Sequence, residues 1–217
     1  MASLVGGLHP HSVLRRLIEQ IDPPVADDDF VVDDYDLEAV AAGDDATLVG
    51  SASKIILPGR GRNVTVESTN VGTGGFVGRV GVTGKWMGID VYERFDVTVD
   101  DGAELGLIPF ESISKVEIES VTTAGVANDL LKVGFGNRLG LGFLVPGSRE
   151  ADLDITRLSA GALGATFAGS SNTVDTVYHC LKKHTTLGQG ASGAIAANDH
   201  FEVRYLADKN ALDDVVQ

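Results

Sequence analysis

Between Gly78 and Val99 the chain reads Gly-Arg-Val-Gly-Val-Thr-Gly-Lys-Trp-Met-Gly-Ile-Asp-Val-Tyr-Glu-Arg-Phe-Asp-Val-Thr-Val. Val80 and Val82 alternate with small or polar residues, and beyond Gly84–Gly88 the alternation resumes at Ile89, Val91, Glu93, Phe95 and Val97. That is the period of half-buried strands, so this stretch is expected to be a β-hairpin. Its chemistry is structural, and it sets the class of the rest.

The flanking sequence follows the same pattern. Short strands are expected at Lys54–Leu57, Asn63–Thr69, Ile113–Val121, Leu130–Phe135, Leu139–Val145, Asp152–Leu158, Val174–Leu181 and Phe201–Leu206. Turn signals separate them: Pro58-Gly59, Gly72–Gly75, Asp100-Asp101-Gly102 and Gly136-Asn137. The 27 glycines of the 217 residues follow no Gly-X-Y period and suit turns and bulges. Strands at this spacing, without helical patterns between them, indicate an all-β antiparallel sandwich or barrel-like body rather than a βαβ fold.

The first 53 residues read differently. From Leu17 to Ser53 there is no Lys or Arg but 11 acids, Asp27, Asp28 and Asp29 among them. Of the chain's 31 acids this leaves 20, against 17 Lys and Arg in all, so the remainder is near charge balance while the whole carries −14. An acidic, partly extended N-terminal arm over 1–53 is therefore expected, ahead of a β domain over 54–217. Within the arm, His11–Ile21 is the best helix candidate: Ser12 can cap it, Pro23-Pro24 stops it, and Leu14, Leu17, Ile18 and Ile21 join Val13 in one apolar stripe. So short a helix must dock on something, either its own sheet or a neighbouring subunit. Leu14, Leu17, Ile18, Ile21 and Asp27–Asp29 are thus the candidate interface residues.

Catalytic spacing is missing, and no enzyme activity, cofactor or metal is expected. Gly59-Arg-Gly-Arg lacks the ending of a phosphate-binding loop, and Gly134–Gly140 misses the dinucleotide spacing by one residue. Gly190-Ala-Ser192-Gly193 has its second Gly too early for a nucleophile elbow. Asp27–Glu38 lacks the alternating ligands and central Gly of an EF-hand calcium loop. His179, Cys180 and His184 read as a buried thiol with surface histidines, because neighbours in a strand point to opposite faces and no second ligand pair follows. A single Cys rules out an internal disulfide framework.

Nucleic acid and membrane are not expected as partners. Arg60 and Arg62 make only a local basic spot in an acidic chain. No apolar run reaches membrane-span length, and Met1–Gly7 lacks the features of a signal peptide, so synthesis and assembly in a cytosol are expected.

Four segments occur in a telling order: Arg62-Asn-Val-Thr-Val; Gly78-Arg-Val-Gly-Val-Thr-Gly with the run to Val99; Phe110-Glu-Ser-Ile-Ser-Lys-Val-Glu-Ile; and Val133-Gly-Phe-Gly-Asn-Arg-Leu-Gly-Leu. In that order, with Phe201-Glu-Val-Arg-Tyr as a late strand, the chain resembles a family of tailed-phage virion proteins. The resemblance spans Lys54–Phe143 and that last strand. Gly142 stands where the family has Pro, and Asn137-Arg138 stands where it has Asp-Lys. It implies a decoration or cement protein on the outside of the head, assembled in the host cytoplasm, with the major capsid protein and copies of itself, a trimer by analogy, as partners. The alternative is a carbohydrate- or ligand-binding β module, such as a head-fibre or tail adhesin domain, with Trp86, Tyr92 or Tyr205 as a stacking platform.

Overall fold

The computed structural model describes residues 15–21, 25–50, 54–58, 60–69, 75–98, 103–142, 145, 153–159, 162–168, 174–175, 177–178, 180–181 and 199–207. The strands are β1 (Arg15–Ile21), β2 (Asp27–Asp36), β3 (Ala46–Val49), β4 (Ile55–Ile56), β5 (Arg62–Thr69), β6 (Val77–Trp86), β7 (Ile89–Thr98), β8 (Glu104–Phe110), β9 (Ser112–Thr123), β10 (Leu130–Gly140), β11 (Leu153–Ser159), β12 (Ala162–Ala168), β13 (Val174–Asp175), β14 (Cys180–Leu181) and β15 (Asp199–Ala207). All recorded pairings are antiparallel. Apart from the short 3-10 turn Leu37–Ala39, no helix occurs among the described residues. The expected all-β antiparallel architecture is therefore what the chain adopts.

Among the described residues three sheets build it. One runs β3-β9-β6-β7, with β4 also on β9; a second runs β13-β14-β10-β5-β8, with β2 also on β10; the third runs β1-β15-β11-β12. The first two enclose the larger core, where Val80, Val82, Phe95, Val116 and Ile118 meet Val64, Val66, Phe110, Val133 and Phe135. A smaller core gathers Leu139, Leu141, Val145, Leu153, Ile155, Leu181, Phe201 and Val203. β10 joins them, its first half in one core and its last residues in the other.

The hairpin forms as expected, with β6 and β7 in register from Val77↔Thr98 to Trp86↔Ile89. Met87 and Gly88 make the two-residue turn, at φ 50° and 75°. Positive φ at both positions gives the primed twist that right-twisted strands need. Trp86 is buried at the tip, where Gly140 leaves room for it: a Cβ on Gly140 would lie 2.4 Å from the indole.

Four expectations are corrected. The helix over His11–Ile21 is not formed: Arg15–Ile21 is a strand paired with β15 from Arg15↔Ala207 to Ile21↔Phe201. A short isolated helix gains little from its own hydrogen bonds, and a full ladder to β15 outweighs its propensity. The acidic segment is not an extended arm either, and the 53/54 boundary does not separate it from the body. β2 pairs with β10 and β3 with β9, while Val32, Leu37, Val40 and Val49 sink into the larger core. Its acids face outward on a strand whose charges discourage further pairing.

Gly136-Asn137 does not turn the chain. β10 continues through it with a bulge, since Val64 faces Phe135 and Arg62 faces Leu139, which sets the three residues Gly136–Arg138 against Asn63 alone. Leu139 and Leu141 are nonetheless buried, as expected. Val174–Leu181 divides into β13 and β14, because the Asp175 carboxylate accepts the N–H groups of Val177 and Tyr178 and so folds the segment back.

Candidate functional site

Among the described residues a cleft of about 630 Å³ lies on the outward face of the β2-β10-β5-β8 sheet. Asn63 and Thr65 of β5 lie at its floor, Ala26 and Asp28 at the β2 side, Ala103 and Leu105 at the β8 side, and the Gly136–Arg138 bulge at its end. Strand alternation accounts for the floor: Val64 and Val66 go to the core, so Asn63 and Thr65 face out.

Two bulges flank this floor, and Asn63 holds both. β8 carries extra residues too, since Thr65 faces Leu105 while Asn63 faces Pro109. Asn63 Oδ1 accepts the Arg138 N–H at 2.9 Å, and Nδ2 donates to the Gly106 carbonyl at 3.1 Å. On the inner side the fully buried Arg62 donates from Nε to the Gly136 carbonyl at 2.8 Å, with its guanidinium 4.7 Å from the centre of the Phe135 ring. Burial pushes the Arg62 guanidinium down to about 10, which leaves it charged at neutral pH.

Where β7 meets β8, a carboxylate takes the place of a ladder. Glu93 accepts the N–H of Leu107 at 2.6 Å and that of Ile108 at 3.4 Å. Burial holds the Glu93 carboxyl above its ordinary range, while those two N–H groups and Arg138 pull the other way. Arg138 in turn pairs with Asp175 at 3.2 Å, tying the cleft's end to the smaller core.

Asp27, Asp28 and Asp29 stand at the cleft's edge, their carboxylate oxygens all within 4.8 Å of one another. Sharing a hydrogen bond with Asp27 raises the Asp29 pKa, with some desolvation and Coulomb repulsion added. Lys132, on β10 beside β2, has its pKa raised, chiefly by Asp34 at 3.7 Å and then by Asp28. The three offer one ligand atom each at this spacing, against the roughly six to eight oxygens that calcium takes.

The structure does not gather the expected interface residues at one place. Leu14 lies outside the described residues, whereas Leu17, Ile18 and Ile21 are on β1, in a different sheet from Asp27–Asp29 on β2. Cys180 is buried, with Arg138 Nη1 4.0 Å from its sulfur; His179 and His184 lie outside the described residues. Trp86 is 7% exposed and donates from Nε1 to the Tyr178 carbonyl at 3.1 Å, so it offers no stacking face. Tyr92 is exposed, but its hydroxyl is held by Glu119.

No sequence motif marks Asn63, Thr65, Glu93, Asn137 or Arg138 as a group. The usable signals were Glu93, a charge in an otherwise apolar alternation, and the polar Gly-Asn-Arg interruption in a run of strand residues. No protein-family model, no curated protein and no solved structure matches the chain.

Proposed function

We propose that this chain is a structural protein of a tailed-phage virion, seated on the outside of the head as a decoration or cement protein. One observation carries the reading: the segments that bear the resemblance meet and build the centre of the fold. Arg62-Asn63 grips the bulge at Gly136–Arg138, while the Gly78–Gly84 strand pairs with Ile113–Ile118 and the Lys85 carbonyl accepts the Glu111 N–H. Residues used in this way set a shape, as expected of a protein whose work is to be a surface. The acidic β2 edge suits contact with a basic capsid face. The alternative, a glycan-binding module, is weakened by the burial of Trp86.

Binding to particles that lack the protein tests the reading. Purified chain added to such heads should co-sediment at a fixed copy number per capsid. Replacing Asp27, Asp28 and Asp33 together with Asn should lower occupancy and flatten its salt dependence. Absence of binding, with the native protein found in the tail or outside the particle, would refute the proposal.

A further inference from the structure

We propose that the cleft between β2 and β8 takes up a basic side chain, arginine or lysine, presented by a protein surface. The two buried side-chain atoms in it that lack a partner are both oxygens. Thr65 is 7% exposed, yet its hydroxyl has no hydrogen-bond partner, and the buried Asn137 Oδ1 likewise has none. Asn137 Oδ1 and the Asp28 carboxylate can only accept, and the Thr65 hydroxyl can accept as readily as donate. Such a site calls for a ligand rich in N–H donors.

The charges around it point the same way. Asp34, Asp28, Asp29 and Glu67 surround Lys132 and raise its pKa, and Asp27 stands beside Asp28 and Asp29. Arg138, the cation at the cleft's end, is already paired with Asp175. An anionic ligand would meet this acidic row, whereas a guanidinium or ammonium would relieve it. The walls fit a basic side chain as well: Leu105, 53% exposed, and the two alanines suit a methylene stem whose charged end lies among the oxygens.

Two other occupants fit less well. A sugar wants an aromatic face, but Phe135 is 2% exposed, with Phe30 edge-on at 5.2 Å and Arg62 across its ring. A bare metal ion would leave most of a 630 Å³ cleft empty. The inference rests on the proposed capsid docking for the kind of surface that presents the side chain, and on the cleft alone for its chemistry.

Titration of the full chain with acetyl-arginine amide and acetyl-lysine amide, followed by amide chemical shifts, tests it. Acetyl-norleucine amide serves as the neutral control. The cationic amides should shift Thr65, Gly136 and Asn137 at millimolar concentration, and the control should not. Thr65→Val keeps the volume and should weaken binding about fivefold or more, the effect of one lost hydrogen bond. The exposed Asp28→Asn should weaken it similarly and reduce its salt dependence. Equal binding of the control, unchanged binding by Thr65→Val, no shifts at all, or shifts confined to Asp27–Asp29 and reproduced by calcium chloride would each overturn the inference. If the chain coats capsids yet ignores arginine amide, only this inference falls. If arginine amide binds and capsids stay bare, the virion reading falls and the cleft stands.

Discussion

Asn63 and Arg138 are 75 residues apart in sequence, and the side chain of the first accepts the backbone N–H of the second at 2.9 Å. The same amide donates to Gly106, so one side chain fixes the extra residues of two neighbouring strands. Asn63→Leu would strand the Arg138 N–H and the Gly106 carbonyl, both now met by one group. The expected cost is about 2–6 kcal/mol in urea unfolding, from roughly 1–3 kcal/mol for each of the two orphaned groups. Thr65→Val, two residues along the same face, removes a buried hydroxyl that has no partner and should leave stability unchanged or raise it.

Leu139 is 1% exposed and opens the smaller core, where β10 leaves the larger one. Leu139→Ala should cost about 2–5 kcal/mol by lost transfer energy and a cavity. Comparable loss is expected for Leu141→Ala, and a loss near zero in calorimetry would mean that the site collapses without penalty.

Gly134 lies beneath the start of β2, where a Cβ would come within 2.0 Å of the Asp27 carbonyl oxygen. Backbone atoms cannot swing aside as a flexible side chain does. Gly134→Ala should therefore lift β2 from β10, and limited proteolysis should then cut within Asp27–Asp36 faster than in the wild type, where β2 is paired with β10. The rest of the larger core should keep its protection.

Glu93 makes stability depend on pH in a definite direction. Its carboxyl binds a proton more readily folded than unfolded, so the folded state holds more protons above the ordinary value of 4.5. The stability linked to it is complete below that value and is lost as pH rises through the folded pKa. Wild type should gain stability relative to Glu93→Gln when pH is lowered from about 7 to about 4. Urea midpoints of the two proteins across that range check the sign; the opposite trend would mean that the Leu107 and Ile108 N–H groups outweigh burial.

The β architecture was legible because alternation is local. Val80, Val82, Phe95 and Val97 declare a buried face within one hairpin, and all four are in the core. What the sequence hid was pairing between distant segments. Arg15–Ile21 carries a helical stripe, and only the ladder to β15, nearly the whole chain away, makes it a strand. The acids from Asp27 to Asp36 outweigh Val32 in composition, though Val32 and the nearby Leu37 decide where the segment lies. Gly136-Asn137 resembles a turn locally and becomes a bulge because Arg62 and Asn63 capture its backbone. The cleft cannot be read from local pattern for the same reason, since its residues come from four strands.

Trp86 is the chain's one tryptophan, and it packs over Gly140 while bonding to the Tyr178 carbonyl, at the joint of the two cores. The molecule therefore carries a built-in optical reporter at the place where its halves meet. Separation of the smaller core from the larger one would expose that indole to water and redden its emission, with no label attached. The order in which the two halves assemble can be followed from that single signal.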